Sequence, residues 1–319
     1  MENHAAEEAF EPYRIAGVEL VEPITDNERY STWHVLWERH DAFLKCAKTG
    51  KTRQRLANEA WGNQTMAHLA DKAGAPFDVP QILAKDAQAG WLISEFIDGQ
   101  PLSPGDYPKE VVLAAEPTML DIYAFLDQAL MPEPSYSPVR FGSSKSAEEM
   151  EQKIRGKLDE VPKAIKRFDP ELIEDSIKFI AAGYHALKPA FTHGDLTPKY
   201  VLAIPGNKPF VIDFESCSLY WPRFYELINY TTKLSIVHGY APEADNFISA
   251  FFDRIGQDAE AHLPQLKVIS AARALLIVHE MAARPSNRRI YDTELNEEHR
   301  GRVEETLRRC LGDAPLVQA

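Results

Sequence analysis

The sequence predicts an α+β chain of two lobes, the first built on a small antiparallel sheet and the second larger and mostly helical. Three observations carry that expectation. Short strand-like runs separated by turns fill the first hundred or so residues. Long runs with apolar residues at helical spacing fill most of the remainder. At 319 residues the chain is long enough for two cores. Hydrophobic residues make up 45% and charged residues 26%, the balance of a globular chain.

The elements follow in order. Residues 1–12 read as a tail or a short helix. Arg14 to Pro23 alternates and reads as a strand, Ile24 to Ser31 as a turn, and Thr32 to Glu38 as a second strand. Asp41 to Lys48 (DAFLKCAK) reads as a third. Lys51 to Ala73 is expected to be a helix with Leu56, Ala60, Met66 and Leu69 as its apolar stripe, Gly62 being a blemish on it. Val79 to Ala84 and Gly90 to Ile97 read as two more strands, and Asp98-Gly99 as the junction between lobes. Asp106 to Ala129 carries a helical pattern interrupted by Pro117, so one helix or two are expected. Met131 to Phe141 is proline-rich and irregular. Ser146 to Arg167 reads as a surface helix broken near Pro162, and Glu171 to Leu187 as a stronger amphipathic helix. Ser218 to Arg223 reads as a loop. Helices are expected over Phe224 to Val237, Glu243 to Phe252, Leu266 to Ala283 and Glu294 to Leu311. The run ISAARALLIVHEMAAR is apolar nearly all round, so it should be buried.

The net charge of −13 argues against a general nucleic-acid binder and is compatible with a cationic or neutral small partner. Cys46, Cys217 and Cys310 lack metal-type spacing, and their sparseness fits a reducing compartment. The acidic N-terminus has no apolar core, and no run approaches the roughly 18 apolar residues of a membrane span. A cytoplasmic protein with no nucleic-acid or membrane partner is expected, either a monomer or a homodimer.

The stretch with the most chemistry is Phe191 to Glu215, FTHGDLTPKYVLAIPGNKPFVIDFE. It reads as a tight loop holding His193-Gly194-Asp195, a short strand, a Pro-Gly-Asn turn, and a second strand from Pro209 to Asp213. Such a hairpin holds two carboxylates, Asp195 before it and Asp213 at its end. One carboxylate can orient or deprotonate a hydroxyl while the other holds Mg²⁺ on a nucleotide.

HGDLTPKY followed by VIDFE resembles the aminoglycoside phosphotransferase family of small-molecule kinases, which includes choline kinase-like enzymes. The family's signature is HGD, four residues, Asn, and a hydrophobic strand ending in DxE. Here Tyr200 stands at the Asn position. The resemblance implies a two-lobe protein kinase-like fold, with residues 1–98 as the nucleotide-binding lobe and 99–319 as the catalytic and substrate-binding lobe. It implies that Asp195 orients or deprotonates the acceptor hydroxyl and that His193 holds the backbone around it. Asp213 and Glu215 would bind Mg²⁺. Lys45 would contact the phosphates of ATP or GTP, paired with Glu59, and backbone groups near Glu95 and Ile97 would meet the adenine edge. The turn that covers the phosphates usually contains glycine; here Asn27, Tyr30 and Ser31 would have to serve. Glu226-Leu227 resembles an acidic position that braces the catalytic loop.

The resemblance points to an aminoglycoside-like or other amine-bearing alcohol as acceptor, in the setting of antibiotic resistance. Glu215, Asp245, Glu280 and Asp292 are candidates to line its site, or else lie on a solvated surface. Trp221, Tyr225 and Tyr230 either stack on a sugar or cation or belong to the core. Tyr200 opens an alternative, since a phenol is a poor Mg²⁺ ligand at neutral pH. In that alternative the chain is a weak or inactive kinase-fold protein that binds a ligand or partner without phosphoryl transfer.

Overall fold

Three consecutive strands, Val18–Asp26 (β1), Tyr30–Trp37 (β2) and His40–Ala47 (β3), open the chain as an antiparallel meander. The computed structural model describes residues 15–103, 108–128, 146–283 and 295–312. The meander continues into Trp91–Glu95 (β5) beside β3 and Ile82–Asp86 (β4) at the edge, giving a five-stranded sheet in the order β1-β2-β3-β5-β4. Successive side chains along β3 point to opposite faces. Ala42, Leu44 and Cys46 enter a core with Trp33, Val35 and Ile93. Ala47 lies on the other face with Tyr30, Leu92 and residues of the next helix. Lys45, two residues before Ala47, shares that second face.

The helix is Gly50–Ala73 (α1). Thr49 caps it, accepting from the Thr52 amide while the Thr52 hydroxyl accepts from the Thr49 amide. Gly74, at φ 66°, ends it in the left-handed conformation. Leu56 and Ala60 pack on the sheet. Gly62 is no blemish: a Cβ there would lie 2.6 Å from Cys217 Cβ and 3.2 Å from Phe214 Cβ. The helix backbone thus approaches the segment around residues 214–217 more closely than any side chain permits.

The chain divides into two compact units that do not follow one cut in the sequence. The first takes in residues up to Pro101 together with Tyr200–Ser218. The returning segment forms a small sheet of Gln100–Pro101 (β6), Val201–Ala203 (β8) and Phe210–Val211 (β9). The expected hairpin is there with shorter strands. The Ile212 amide donates to the Tyr200 carbonyl at 3.0 Å and so closes its base.

The second unit is mostly helical. Lys109–Gln128 (α2) runs unbroken through Pro117. The carbonyl that Pro117 cannot bond belongs to Leu113, which is 46% exposed, so water can satisfy it. Ala147–Asp159 (α3) and a single turn at Pro162–Ile165 replace the one broken helix expected, and Pro170–Tyr184 (α4) follows. The chain then forms Pro189–Thr192 (β7), not anticipated from sequence. Its partner is Ser218–Pro222 (β10), where a loop is expected. The SLYWP run is apolar and buried, as pairing demands. Tyr225–Lys233 (α5) passes into one wider turn, Leu234–His238. Ala241–Ile255 (α6), Ala259–Ala282 (α7) and Glu297–Leu311 (α8) complete the unit. Among the described residues, α7 is long and apolar enough to cross a membrane, but 72% of its most apolar window is buried against α3, α4, α5, α6 and α8. It is the central helix of this core. The expected irregular stretch from Met131 to Phe141 lies outside the described residues.

Two glycines separate close approach from mere permissiveness. Gly62→Ala should destabilise the protein by ~1–3 kcal/mol through overpacking. Gly156→Ala, in α3 with open space around it, should stabilise it by ~0.5–1 kcal/mol. Urea unfolding of both variants checks the contrast; equal effects would refute the packing argument.

Candidate active site

In the first unit, Lys45 reaches from β3 to two carboxylates. Its Nζ donates to Glu59 of α1 at 2.7 Å and to Asp213 at 2.9 Å, and it lies 4.5 Å from the Tyr30 ring centroid. The Lys45 and Glu59 side chains are 8% and 10% exposed. Burial disfavours the ammonium, but Asp213, Glu59 and Glu215 together outweigh it and hold the Lys45 pKa well above the ordinary lysine value. Burial pushes the Glu59 carboxyl up to about 7, against the pull of Lys45. Asp213 is more open and sits at φ 68°, a left-handed conformation that an aspartate tolerates better than most residues.

Glu59, Asp213 and Glu215 bring carboxylate oxygens within 4.8 Å of one another. These three carboxylates form a group able to hold a cation, and it includes both Asp213 and Glu215, the pair expected from sequence. The Glu215 carboxylate accepts from the Arg29 guanidinium, from Arg55 at 3.0 Å and from the Tyr30 hydroxyl at 2.7 Å. A cation at Glu215 would meet two guanidinium groups. The same helix face carries Asn58, whose amide donates to the Glu215 and Cys217 carbonyls at 3.0 and 2.8 Å.

The turn expected to cradle phosphate is closed on itself. The Asn27 carboxamide accepts the amides of Arg29 and Tyr30 at 2.8 and 2.9 Å. The Ser31 hydroxyl donates to Asp26 at 2.5 Å. The Arg29 and Tyr30 amides and the Ser31 hydroxyl are therefore spent inside the turn, and the Tyr30 hydroxyl and the Arg29 guanidinium on Glu215. At the expected adenine edge, the Glu95 amide donates to the Gln81 carbonyl, and the Ile97 carbonyl accepts from the Gly99 amide. Those two groups are committed to the sheet and its turn.

The second unit holds the HGD loop. Glu226, on the first turn of α5, accepts the Gly194 amide and, at 3.1 Å, the Leu196 amide. The Tyr123 hydroxyl donates to the Leu196 carbonyl at 2.8 Å. Gly194 is at φ 87°, which a side chain would strain. The expected brace is thus present with Glu in place. Burial pushes its carboxyl up to about 7, against the two amides. His193 is fully buried beneath the loop.

Asp195 is bonded at 2.6 Å to Lys233, seven residues beyond Glu226 on the same face of α5. Burial would raise the Asp195 carboxyl, but Lys233, Lys199 and His193 hold it well below the usual range. Sequence reading missed Lys233, although its spacing from Glu226 was the available signal. It missed Arg55 too, one turn before Glu59. Of the acidic residues nominated for the acceptor, Asp245 is bonded to Arg309, and Glu280 to Arg273 through both oxygens. Asp292 lies outside the described residues. Trp221, Tyr225 and Tyr230 are all buried, with Trp221 stacked on Tyr225.

Residues 21–261 match the profile described as the phosphotransferase enzyme family. No curated protein matches the sequence. Among solved structures, the chain is similar to an aminoglycoside phosphotransferase, APH(4)-Ia, in a ternary complex with AMP-PNP and hygromycin B. The TM-score is 0.62 at 13% identity, over 95% of this chain and 98% of that one. It is also similar to the ethanolamine kinase of Plasmodium vivax, with TM-score 0.57 at 14% identity over 91% and 82%. The streptomycin–ATP complex of APH(2")-IIa gives 0.53 at 12% identity over 97% and 96%. These likenesses place the fold among the two-lobe kinases.

Removing Lys233 removes the strongest cation on Asp195. In Lys233→Met the carboxyl pKa rises toward the ordinary value, so any activity that needs ionised Asp195 should lose its acid limb at higher pH, by about 1–2 units. The pH profile of kcat/KM measures this; an unmoved limb would show that Asp195 does not set it.

Proposed function

Because the chain belongs to the phosphotransferase enzyme family, we propose that it transfers the terminal phosphate of ATP or GTP to a hydroxyl of a small molecule, with Mg²⁺. The observation that carries this reading is the buried Lys45–Glu59–Asp213 constellation. A lysine fixed by one carboxylate beside a second, more open carboxylate has the parts needed to engage phosphates and the cation they bring. With a nucleotide bound, Lys45 would hold its phosphates in place of Asp213, and Glu59 would keep the ammonium in position. Asp213 would hold Mg²⁺, which neutralises charge on the phosphates when bound.

Asp195 is the group for the acceptor. Its carboxylate is ionised throughout the neutral range and weakly basic, so it orients the hydroxyl and takes its proton late, as the phosphoryl group arrives. Glu226 keeps the loop rigid by fixing two amides on either side of Asp195. Three free, buried cysteines fit action in the cytoplasm.

A second reading has a specific observation behind it. Tyr200 stands where the family carries Asn, and the Arg29 and Tyr30 amides of the 27–31 turn are occupied. Both features suit a protein that binds without efficient transfer. As for the acceptor, the resemblance points to an amine-bearing alcohol, whereas Glu280 and Asp245 are each paired with arginine.

Calorimetry with ATP and GTP, with and without Mg²⁺, tests the reading first. Binding should require Mg²⁺, and Asp213→Ala should remove that dependence. Asp195→Ala should lower turnover by about 10²–10⁴-fold while leaving nucleotide affinity within a few-fold. Absence of binding by either nucleotide would overturn the proposal. Tyr200→Asn discriminates the second reading: a rise in turnover marks a degraded site, a fall marks a tyrosine that belongs to a working one.

A further inference from the structure

A cavity of about 190 Å³ lies within the second unit, beside the HGD loop. Its wall is largely aromatic. Tyr123 of α2, Phe191 of β7, Phe224 at the cap of α5 and Phe251 of α6 line it, and all four are buried. Lys188 and Pro189, both exposed, stand at its edge. Protein interiors hold few voids larger than a water, because atoms lining a void forgo their packing contacts. An apolar cavity of ~150 Å³ takes up a benzene ring. This one has room for a ring and a small substituent.

Thr192 also lines the cavity. It is 5% exposed, and its buried hydroxyl has no hydrogen-bond partner among the described residues. Such a group is costly to leave unpaired. A buried water needs two to four polar partners, and among the described lining residues the Thr192 hydroxyl is the one buried side-chain atom left unpaired. The charged groups of the lining are engaged. The buried Asp127 carboxylate accepts from Arg223 through both oxygens at 2.7 Å. Glu226 accepts the Gly194 and Leu196 amides. A charged ligand group inside would lose its hydration with no opposite charge in return.

The lining reaches the HGD loop at three points. Thr192 precedes His193 in the chain. Tyr123 donates to the Leu196 carbonyl, and Glu226 holds the amides on either side of Asp195. Asp195 and Lys233 are not part of the described lining, so the cavity is not where a hydroxyl would meet Asp195. We propose that this cavity is a separate ligand site, taking a neutral aromatic molecule of about phenol size with one hydroxyl, which pairs with Thr192. Its occupant bears on the HGD loop through Tyr123, Thr192 and Glu226.

NMR of the ¹⁵N-labelled full chain tests this, with phenol, benzyl alcohol, toluene, benzoate and benzylamine as probes. Phenol or benzyl alcohol should bind saturably and shift the Gly194 and Leu196 amide resonances. Benzoate and benzylamine should bind at least about tenfold more weakly. Ala190 and Thr192 share a face of β7, so Ala190→Leu should fill the space and abolish binding. Thr192→Val keeps the shape and drops the hydroxyl, and keeps the test open should Ala190→Leu not fold. In it the hydroxyl probe should bind about tenfold more weakly and toluene change by less than about threefold. Saturable binding of none of the probes would overturn the proposal. So would hydroxyl-probe binding unmoved in Thr192→Val or in folded Ala190→Leu, or charged probes binding as well as neutral ones. A probe that binds and leaves both amides unmoved would overturn the link to the loop. Neither nucleotide nor acceptor is present, so the outcome is separate from that of the phosphotransferase reading.

Discussion

An ammonium group buried in protein is tolerable only with negative charge beside it, and that constraint at Lys45 organises the first unit. Removing one partner of a buried ion pair costs about 3–5 kcal/mol, because a charge is left without compensation. Lys45 has two partners, and they come from different elements: Glu59 from the middle of α1 and Asp213 from the end of the returning hairpin. The strand, the helix and the hairpin are therefore bound into one register by a single side chain. Gly62 shows the same constraint in steric form, since α1 must lie close to residues 214–217 for Glu59 and Asp213 to meet one ammonium.

The second unit solves a different problem, that of holding a polar loop still without burying it unsatisfied. Two amides flanking Asp195 would otherwise face the interior, and Glu226 takes both. The helix that supplies Glu226 begins at Phe224, a bulky residue at φ 68°. That conformation is costly for phenylalanine, and its ring is held by Phe251, Phe252 and His262. Two turns along the same face, Lys233 meets the Asp195 carboxylate itself. One short helix thus sets the geometry of the loop and the basicity of the residue on it.

Much of this was legible in the sequence, because local patterns carry it. The five strands and most helices follow from periods of two and 3.6 residues, and HGD with IDFE located both carboxylates. The β7–β10 pair was not legible: its two short strands lie 25 residues apart, and SLYWP alone reads equally as a loop. The partners of charges were not legible either. Glu215 reads as a metal ligand from its place after Asp213, yet only the fold shows Arg29 and Arg55 converging on it. Glu280 and Asp245 look available until Arg273 and Arg309 are found beside them. Sequence spacing reveals which charges share a helix face; which charges meet across elements depends on packing.

The glycine-free turn of the first unit has a physical explanation. A turn that cradles an anion needs backbone amides left unbonded and a backbone free to point them at it, which is why glycine is usual there. The 27–31 turn has neither glycine nor spare amides at Arg29 and Tyr30, since Asn27 accepts both. The side chain that stands in this turn is Arg29, whose guanidinium is turned to Glu215. A guanidinium on a short turn must be held, and Glu215 holds it together with Arg55 and Tyr30. Glu215 is thereby engaged by cations of the protein, and Asp213 is the most exposed of the three carboxylates.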